Sequence, residues 1–171
     1  MPARWPAPLV ALVALALPAA AFAQAPPEQT PQALFEDLVV KDARTAPEIR
    51  ALLQTDAGFV GAPTFVDLTG DGRMDAVVPV RMPGAAGTVA VYVFSTDGTR
   101  TSRLRAVFRS QALYRASTHV AGATLTVSRP RWAEGDDVCC PAARRERDYV
   151  WSPRTRRLRR AGAERLIRLR R

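Results

Sequence analysis

Histidine and cysteine are scarce in this 171-residue chain, which contains one histidine and two adjacent cysteines. A structural zinc site needs about four ligands, so this set does not provide one. The histidine, His119, lies in a strand-like Ser-Thr-His-Val run, in which neighbouring side chains point to opposite faces, and a Gly-x-Ser-x-Gly nucleophile turn is absent. A Cys-x-x-Cys redox motif is absent as well. We therefore expect a protein that is not an enzyme.

Long apolar runs are also lacking. The longest covers residues 9–21, whereas a membrane-spanning helix needs about 20 residues. It follows Arg4 and ends in an Ala-Phe-Ala sequence, the small-x-small pattern that signal peptidase cleaves. These features predict a signal peptide over residues 1–23, cleaved after Ala23, and disfavour a membrane anchor. No cysteine follows the run for lipidation, so we expect a soluble product that is secreted or held in the periplasm or cell envelope.

The remaining length suits one compact domain. Residues 24–31 are rich in proline and polar side chains, which predicts a flexible tether. The domain itself is expected over residues 32–171, as a monomer without a transmembrane segment and with arginine-rich strands at its C-terminal end.

The formal net charge of +9 comes from the C-terminal end of the chain. Residues 24–141 carry 12 basic and 13 acidic side chains, whereas residues 142–171 carry 12 arginines and 3 acidic side chains. Attraction to an anionic cell-surface polymer or to lipid headgroups is one interpretation, and a solvated outer strand face is the other. The candidate surface contacts are Arg154, Arg156, Arg157, Arg159 and Arg160. Because no aromatic residue alternates with arginine beyond Trp151, and because an exported protein rarely meets nucleic acid, we expect no nucleic-acid partner.

Two short helices are predicted ahead of the strands. Thr30 precedes a proline at the first helical position, and apolar residues follow at helical spacing as far as Val40. A second helix is predicted over residues 45–54, because Thr45 is a similar start signal and the apolar residues after it lie on one face.

From Phe59 onward the pattern changes to short β-branched and aromatic runs separated by Gly, Asp and Pro. The connections are too short for parallel crossovers. We therefore predict an α+β fold: a single antiparallel, meander-like β-sheet of six to eight strands, with one or two short N-terminal helices packed on one face. The predicted strands are 64–68, 75–80, 88–94, 103–109, 124–128, 147–151, 157–159 and 166–170. In the sixth of these, Tyr149 and Trp151 should share a face.

The loop Asp-Leu-Thr-Gly-Asp-Gly-Arg-Met-Asp at residues 67–75 is the sharpest local motif. It offers side-chain oxygens at four positions, a glycine for a tight turn and a backbone carbonyl, and calcium takes about six to eight such oxygens. The tentative calcium ligands are Asp67, Thr69, Asp71, Arg73 and Asp75. The alternative is a metal-free turn in which the aspartates accept hydrogen bonds from their own backbone. No other cofactor is expected.

Cys139 and Cys140 are neighbours, and free thiols tend not to persist in an oxidising compartment. A strained vicinal disulfide that acts as a structural clip is one state. Intermolecular disulfides, a reduced pair and thiols on a soft metal are the others. A redox- or ligand-sensing role for the pair is the alternative to a structural one.

Two stretches carry a resemblance to a known family. One is Gly-Asp-Gly-Arg-x-Asp-Ala-Val-Val at residues 70–78, and the other is Arg-x-x-x-Gly-Asp-x-x-Cys-Cys-Pro at residues 131–141, followed by Tyr149 and Trp151. In order and spacing they resemble the LppP/LprE-type exported proteins and lipoproteins of actinobacteria. The first stretch is also similar to the Asp-Gly loops of FG-GAP and VCBS modules. The resemblance implies export and supports the predicted fold, and it carries no enzymatic activity with it.

The sequence thus predicts an exported, non-catalytic protein, a small binding or structural module of the envelope or extracellular space. The alternative function is that of a redox- or ligand-responsive protein that uses Cys139 and Cys140.

Overall fold

A computed structural model describes residues 30–96 and 103–169, apart from the side chain of Ala85. The predicted signal peptide and the predicted tether up to residue 29 lie outside these ranges. No helix within them is both long and apolar enough to span a membrane.

Two helices open the described chain, α1 (Pro31–Lys41) and α2 (Pro47–Gln54). The start of α1 is as predicted, because the Thr30 hydroxyl accepts a hydrogen bond from the Ala33 amide at 3.3 Å. Pro31 is therefore helical, although it was predicted to end the tether.

The second helix begins two residues later than predicted, with Ala46 at its N-terminal cap position. The Thr45 hydroxyl instead donates to the Val39 carbonyl at 2.7 Å, which ties the loop between the helices to the end of α1. Thr45 is thus buried as a loop residue and does not cap α2.

Nine strands follow within the described residues and form two antiparallel sheets. They are β1 (Phe59–Val60), β2 (Thr64–Val66), β3 (Asp75–Met82), β4 (Gly87–Ser95), β5 (Arg105–Ser110), β6 (Ser117–Ala121), β7 (Thr124–Arg131), β8 (Ala143–Ser152) and β9 (Arg157–Arg168). The first sheet has the order β1-β3-β4-β5, with β2 also paired to β3, and the second has the order β6-β7-β8-β9. The mixed, antiparallel α+β class is confirmed, but the prediction of a single sheet was wrong.

The second sheet exists because the central strands of the first sheet bury both faces. On one face, Val78 and Tyr92 pack with the helices in a core that includes Phe35. On the other, Val77 and its neighbours pack against Leu125 and the rest of the second sheet. The molecule therefore has three layers: helices, first sheet and second sheet.

The last strand is one long element instead of the two predicted over 157–159 and 166–170. Its pairing with β8 shifts register between Glu146 and Asp148, opposite a stretch in which Gly162 has a φ of 69°. A glycine in the left-handed region lets the strand bulge and continue without a break. Tyr149 and Trp151 share a face of β8 as predicted, and both pack against the second core.

Candidate anion-binding cleft

A cleft of about 820 Å³ lies between β5 of the first sheet and strands β7, β8 and β9 of the second. Its apolar floor includes Phe108 and Tyr149, whose ring centroids are 4.6 Å apart. Seven arginines from both sheets and the loop between the helices line it: Arg44, Arg109, Arg129, Arg147, Arg157, Arg159 and Arg160. No acidic residue is among the described residues that line this arginine cleft.

Strand pairing brings the arginines of β9 to this place. The register sets Leu158 opposite Trp151 and Arg160 opposite Tyr149. Leu158 is buried in the second core, whereas Arg157 and Arg159 on either side of it are exposed. The anchored leucine thus fixes the course of the β9 backbone from which these arginines extend.

Part of the positive charge is compensated by carboxylates outside the cleft. Glu164 lies 2.7 Å from the Arg147 guanidinium and 3.4 Å from that of Arg129. Arg109 forms an ion pair with Asp42, and both side chains are largely buried. These ion pairs hold Arg109, Arg129 and Arg147 in place. Because the pairs neutralise part of the positive charge, these three side chains attract an anionic ligand less strongly.

The three β9 arginines that line the cleft are not compensated in this way, whereas Arg165 farther along the strand pairs with Asp148 and Glu146. Within residues 30–96 and 103–169, Arg157, Arg159 and Arg160 have no carboxylate partner. Burial lowers the pKa of Arg105, and the nearby charges of Arg156 and Arg157 lower it further. Of these three residues only Arg157 lines the arginine cleft.

Gln111 holds the loop that contributes Arg44. Its side-chain oxygen accepts hydrogen bonds from the Tyr92 hydroxyl at 2.9 Å and from the Ala46 amide at 2.6 Å. Its side-chain nitrogen donates to the Arg44 carbonyl at 3.2 Å. Burial raises the pKa of Tyr92, so this phenol stays a neutral donor. The loop between the helices is thereby fastened to the first sheet beside the cleft.

The sequence analysis identified part of this site. Three of the five predicted surface arginines line the cleft, whereas Arg154 and Arg156 lie in the turn between β8 and β9 and are outside its lining. Four further arginines of the lining were not predicted from the sequence: Arg44, Arg109, Arg129 and Arg147. The charged–apolar alternation of β5 was a usable signal for Arg109, because it places that residue away from the core.

The aspartate loop at residues 67–75 closes on its own backbone. The Asp75 carboxylate is buried and accepts hydrogen bonds from the Leu68 amide at 2.8 Å and the Thr69 amide at 2.9 Å. Asp67 accepts from the amides of Gly70 and Gly72 at 2.7 and 2.9 Å. This is the geometry of the metal-free alternative.

The remaining predicted ligands do not complete a cation site. Asp71 accepts from the Arg73 amide at 2.9 Å, and the Thr69 hydroxyl oxygen is buried without a hydrogen-bond partner. In the part of the chain that the structure describes, no group of three or more His, Cys, Asp or Glu side chains is arranged to hold a metal ion. The backbone hydrogen bonds favour the metal-free alternative, and the calcium site stays a prediction.

The adjacent cysteines lie within disulfide distance of each other, in the exposed loop between β7 and β8. Their Cα atoms are 3.8 Å apart, the spacing across a trans peptide bond. The Asp136 carboxylate accepts from the amides of Ala133 and Ala142, both at 2.7 Å, and so draws the two ends of the loop together.

Trp132 connects this loop to the segment between β5 and β6. Its ring nitrogen donates to the Val138 carbonyl at 3.3 Å, and its ring centroid lies 5.5 Å from that of Tyr114. Arg115 also donates to the Val138 carbonyl, and its guanidinium carbon lies 5.9 Å from the Trp132 ring centroid. The arginine cleft shares none of these residues.

The chain matches no protein-family model, no curated protein and no solved structure. Function must therefore be argued from the site itself. The arginine cleft is the feature with the clearest chemistry, since it concentrates fixed positive charge over an apolar floor.

Proposed function

We propose that the protein is an exported, non-catalytic module that binds phosphate- or carboxylate-bearing ligands of the cell envelope in the arginine cleft. The convergence of seven arginines on one cleft without a lining carboxylate carries this proposal. Guanidinium groups match the geometry of phosphate and carboxylate oxygens and form charge-assisted hydrogen bonds with them.

The lining chemistry supports binding over turnover. None of its described residues is His, Cys, Asp or Glu, the side chains that most often exchange protons or act as nucleophiles near neutral pH. Export is supported by the predicted signal peptide and by the resemblance to exported actinobacterial proteins. An anion-binding module outside the cytoplasm meets envelope polymers and lipid headgroups, which share this chemistry.

The shape of the site favours one of these sources. Arg157, Arg159 and Arg160 line a concave cleft. A flexible polymer segment can enter such a cleft, whereas a flat membrane surface contacts convex and protruding groups first. We therefore favour a polymer segment or a single anionic group over a planar membrane as the ligand.

The test compares two triple variants with the same change in net charge. The cleft variant replaces Arg157, Arg159 and Arg160 with Gln. The control variant replaces three exposed arginines that do not line the cleft, Arg131, Arg154 and Arg168, with Gln. Polyphosphate and phosphatidylglycerol vesicles serve as probes.

We expect the cleft variant to bind polyphosphate at least about tenfold more weakly than the control variant does, because lost charge-assisted hydrogen bonds add to the lost charge. Equal losses in the two variants would mean that net charge alone attracts the polymer. Binding of vesicles without binding of polyphosphate would assign the surface to membranes.

The cysteine loop supports a second candidate, a redox-responsive role. The exposed pair follows directly on Val138, whose carbonyl accepts hydrogen bonds from Trp132 and Arg115. A change of oxidation state at Cys139 and Cys140 would reach these contacts and should alter the fluorescence of Trp132.

A further inference from the structure

A second cleft, of about 390 Å³, opens beside the arginine cleft. The two share Arg44, Arg109 and Arg157 among their lining residues. They therefore adjoin at these side chains, and together, as the joined groove, they extend from the helices past β5 to the second sheet.

The second cleft differs in chemistry from the first. Leu38 of α1 and Leu104 and Ala106 at β5 give it an apolar wall over the buried Phe94, and Lys41, Asp42 and Arg105 line it beside that wall. Leu38, Leu104 and Ala106 are partly buried and pack against the core between the helices and the first sheet. The wall is thus an accessible extension of that core, next to a strongly basic site.

Charge at the junction favours a headgroup there. Asp42 is the one acidic residue among the described residues that line the second cleft, and its carboxylate is paired with Arg109. The guanidinium groups of Arg44 and Arg157 have no ion-pair partner in the described ranges. An anion at the junction would meet two available cations and a neutralised carboxylate.

We infer that the joined groove binds a single-chain anionic amphiphile. The headgroup lies among Arg44, Arg157 and the other cleft arginines, and the apolar chain lies along Leu38, Leu104 and Ala106. This inference rests on the proposed anion-binding function and specifies the class of its ligand. The second cleft supplies the apolar wall for the chain, and the arginines that the two clefts share supply the charge for the headgroup.

The test is a comparison of chain lengths on the unaltered full-length mature chain, so it needs no variant that might misfold. Ethyl phosphate and octyl phosphate carry the same headgroup, and octyl maltoside carries the same chain with a neutral headgroup. Binding is measured by calorimetry below the micelle concentrations. Each methylene that is buried fully should tighten binding roughly fourfold.

We expect octyl phosphate to bind at least about tenfold more tightly than ethyl phosphate, and octyl maltoside to bind more weakly than octyl phosphate. A Leu104→Gln variant should lose the gain from the longer chain and still bind polyphosphate.

If octyl phosphate binds no more tightly than ethyl phosphate while polyphosphate binds, the amphiphile inference fails and the proposed function stands. If none of the anions binds, both fail. If octyl maltoside binds as tightly as octyl phosphate, the apolar chain adsorbs without a headgroup site, and the inference is again overturned.

Discussion

The ring of Phe108 meets the ring of Tyr149 nearly edge-on, with centroids 4.6 Å apart and planes inclined by 61°. Phe108 belongs to β5 of the first sheet and Tyr149 to β8 of the second. The contact therefore joins the two sheets directly beneath the arginine cleft. The spacing of the arginines that reach the cleft from each sheet depends on this contact.

Removal of the Phe108 ring should destabilise the fold. Phe108 is 6% exposed, so we expect Phe108→Ala to lower the free energy of unfolding by about 3 kcal/mol. In a double-mutant cycle with Tyr149→Ala, the coupling should be about 1 kcal/mol, as for other edge-to-face pairs. Urea unfolding measures both quantities. Strictly additive losses would mean that the rings are near each other without stabilising the packing of the sheets.

Loss of the Asp75 carboxylate should destabilise the aspartate loop without any metal. Asp75 is 1% exposed and accepts two backbone hydrogen bonds, so Asp75→Ala should cost about 2 kcal/mol through the amides left unpaired. Asp71→Ala, at an exposed residue with one such bond, is the matched control and should cost less.

Thermal unfolding of the wild-type protein and of Asp75→Ala also tests whether the loop binds calcium. Because the loop is closed by its own amides, we expect the melting temperature of the wild-type protein to be the same in a chelator and in about 10 mM calcium, a concentration that saturates weak extracellular sites. If calcium raised the melting temperature of the wild-type protein but not that of Asp75→Ala, the calcium interpretation would be supported.

Protonation of Asp148 in acid should lower the stability of the second sheet. The Arg165 guanidinium and the Thr126 hydroxyl, which donates at 2.7 Å, hold the pKa of Asp148 below its usual value. A carboxyl whose pKa is lower in the folded state stabilises the fold above its unfolded pKa of about 3.9. That stabilisation is lost as the pH falls through the folded pKa.

We therefore expect urea midpoints of the wild-type protein to fall more steeply below about pH 4 than those of Asp148→Asn. Arg165→Met, which removes the largest cause of the shift, should reduce the difference. Parallel curves for the wild-type protein and Asp148→Asn would show that the Arg165 pair makes no net contribution to stability.

Reduction of the cysteine pair should act locally. A disulfide between neighbours closes a minimal loop, so its chain-entropy contribution is only about 1 kcal/mol. We expect reduction to alter Trp132 fluorescence through the Val138 contact while polyphosphate binding stays the same, since neither cysteine lines the cleft. A Trp132→Phe variant identifies the source of the signal, and the mass of the non-reduced monomer identifies the disulfide. A spectrum that reduction leaves unchanged would argue against the redox-responsive candidate.

Local signals in the sequence were sufficient for α1, because its cap and its first-turn proline act within a few residues. They misplaced the start of α2, because the Thr45 hydroxyl bonds to Val39 in the preceding helix. The sequence does contain a signal for the second sheet. The run from Ala76 to Val80 is continuously apolar, which is typical of a strand covered on both faces rather than on one.

The cleft was less accessible to sequence reasoning. The arginines of β9 were found because they cluster in the sequence. Arg44 and Arg129 are isolated there and reach the cleft only because the two sheets and the helix loop pack together. Periodicity predicts which face of a strand a side chain occupies, but not which other strand that face will meet.

The long last strand also sets the order in which this site is built. Arg44 is near the beginning of the described chain and Arg160 is near its end, yet both line one cleft. The cleft is therefore complete only after β9 has paired with β8, and the proposed ligand would not bind a chain in which β9 is detached. A ligand that bridges the helix loop and β9 would bind only the finished fold, and so it would slow the detachment of the last strand and lengthen the lifetime of the native protein.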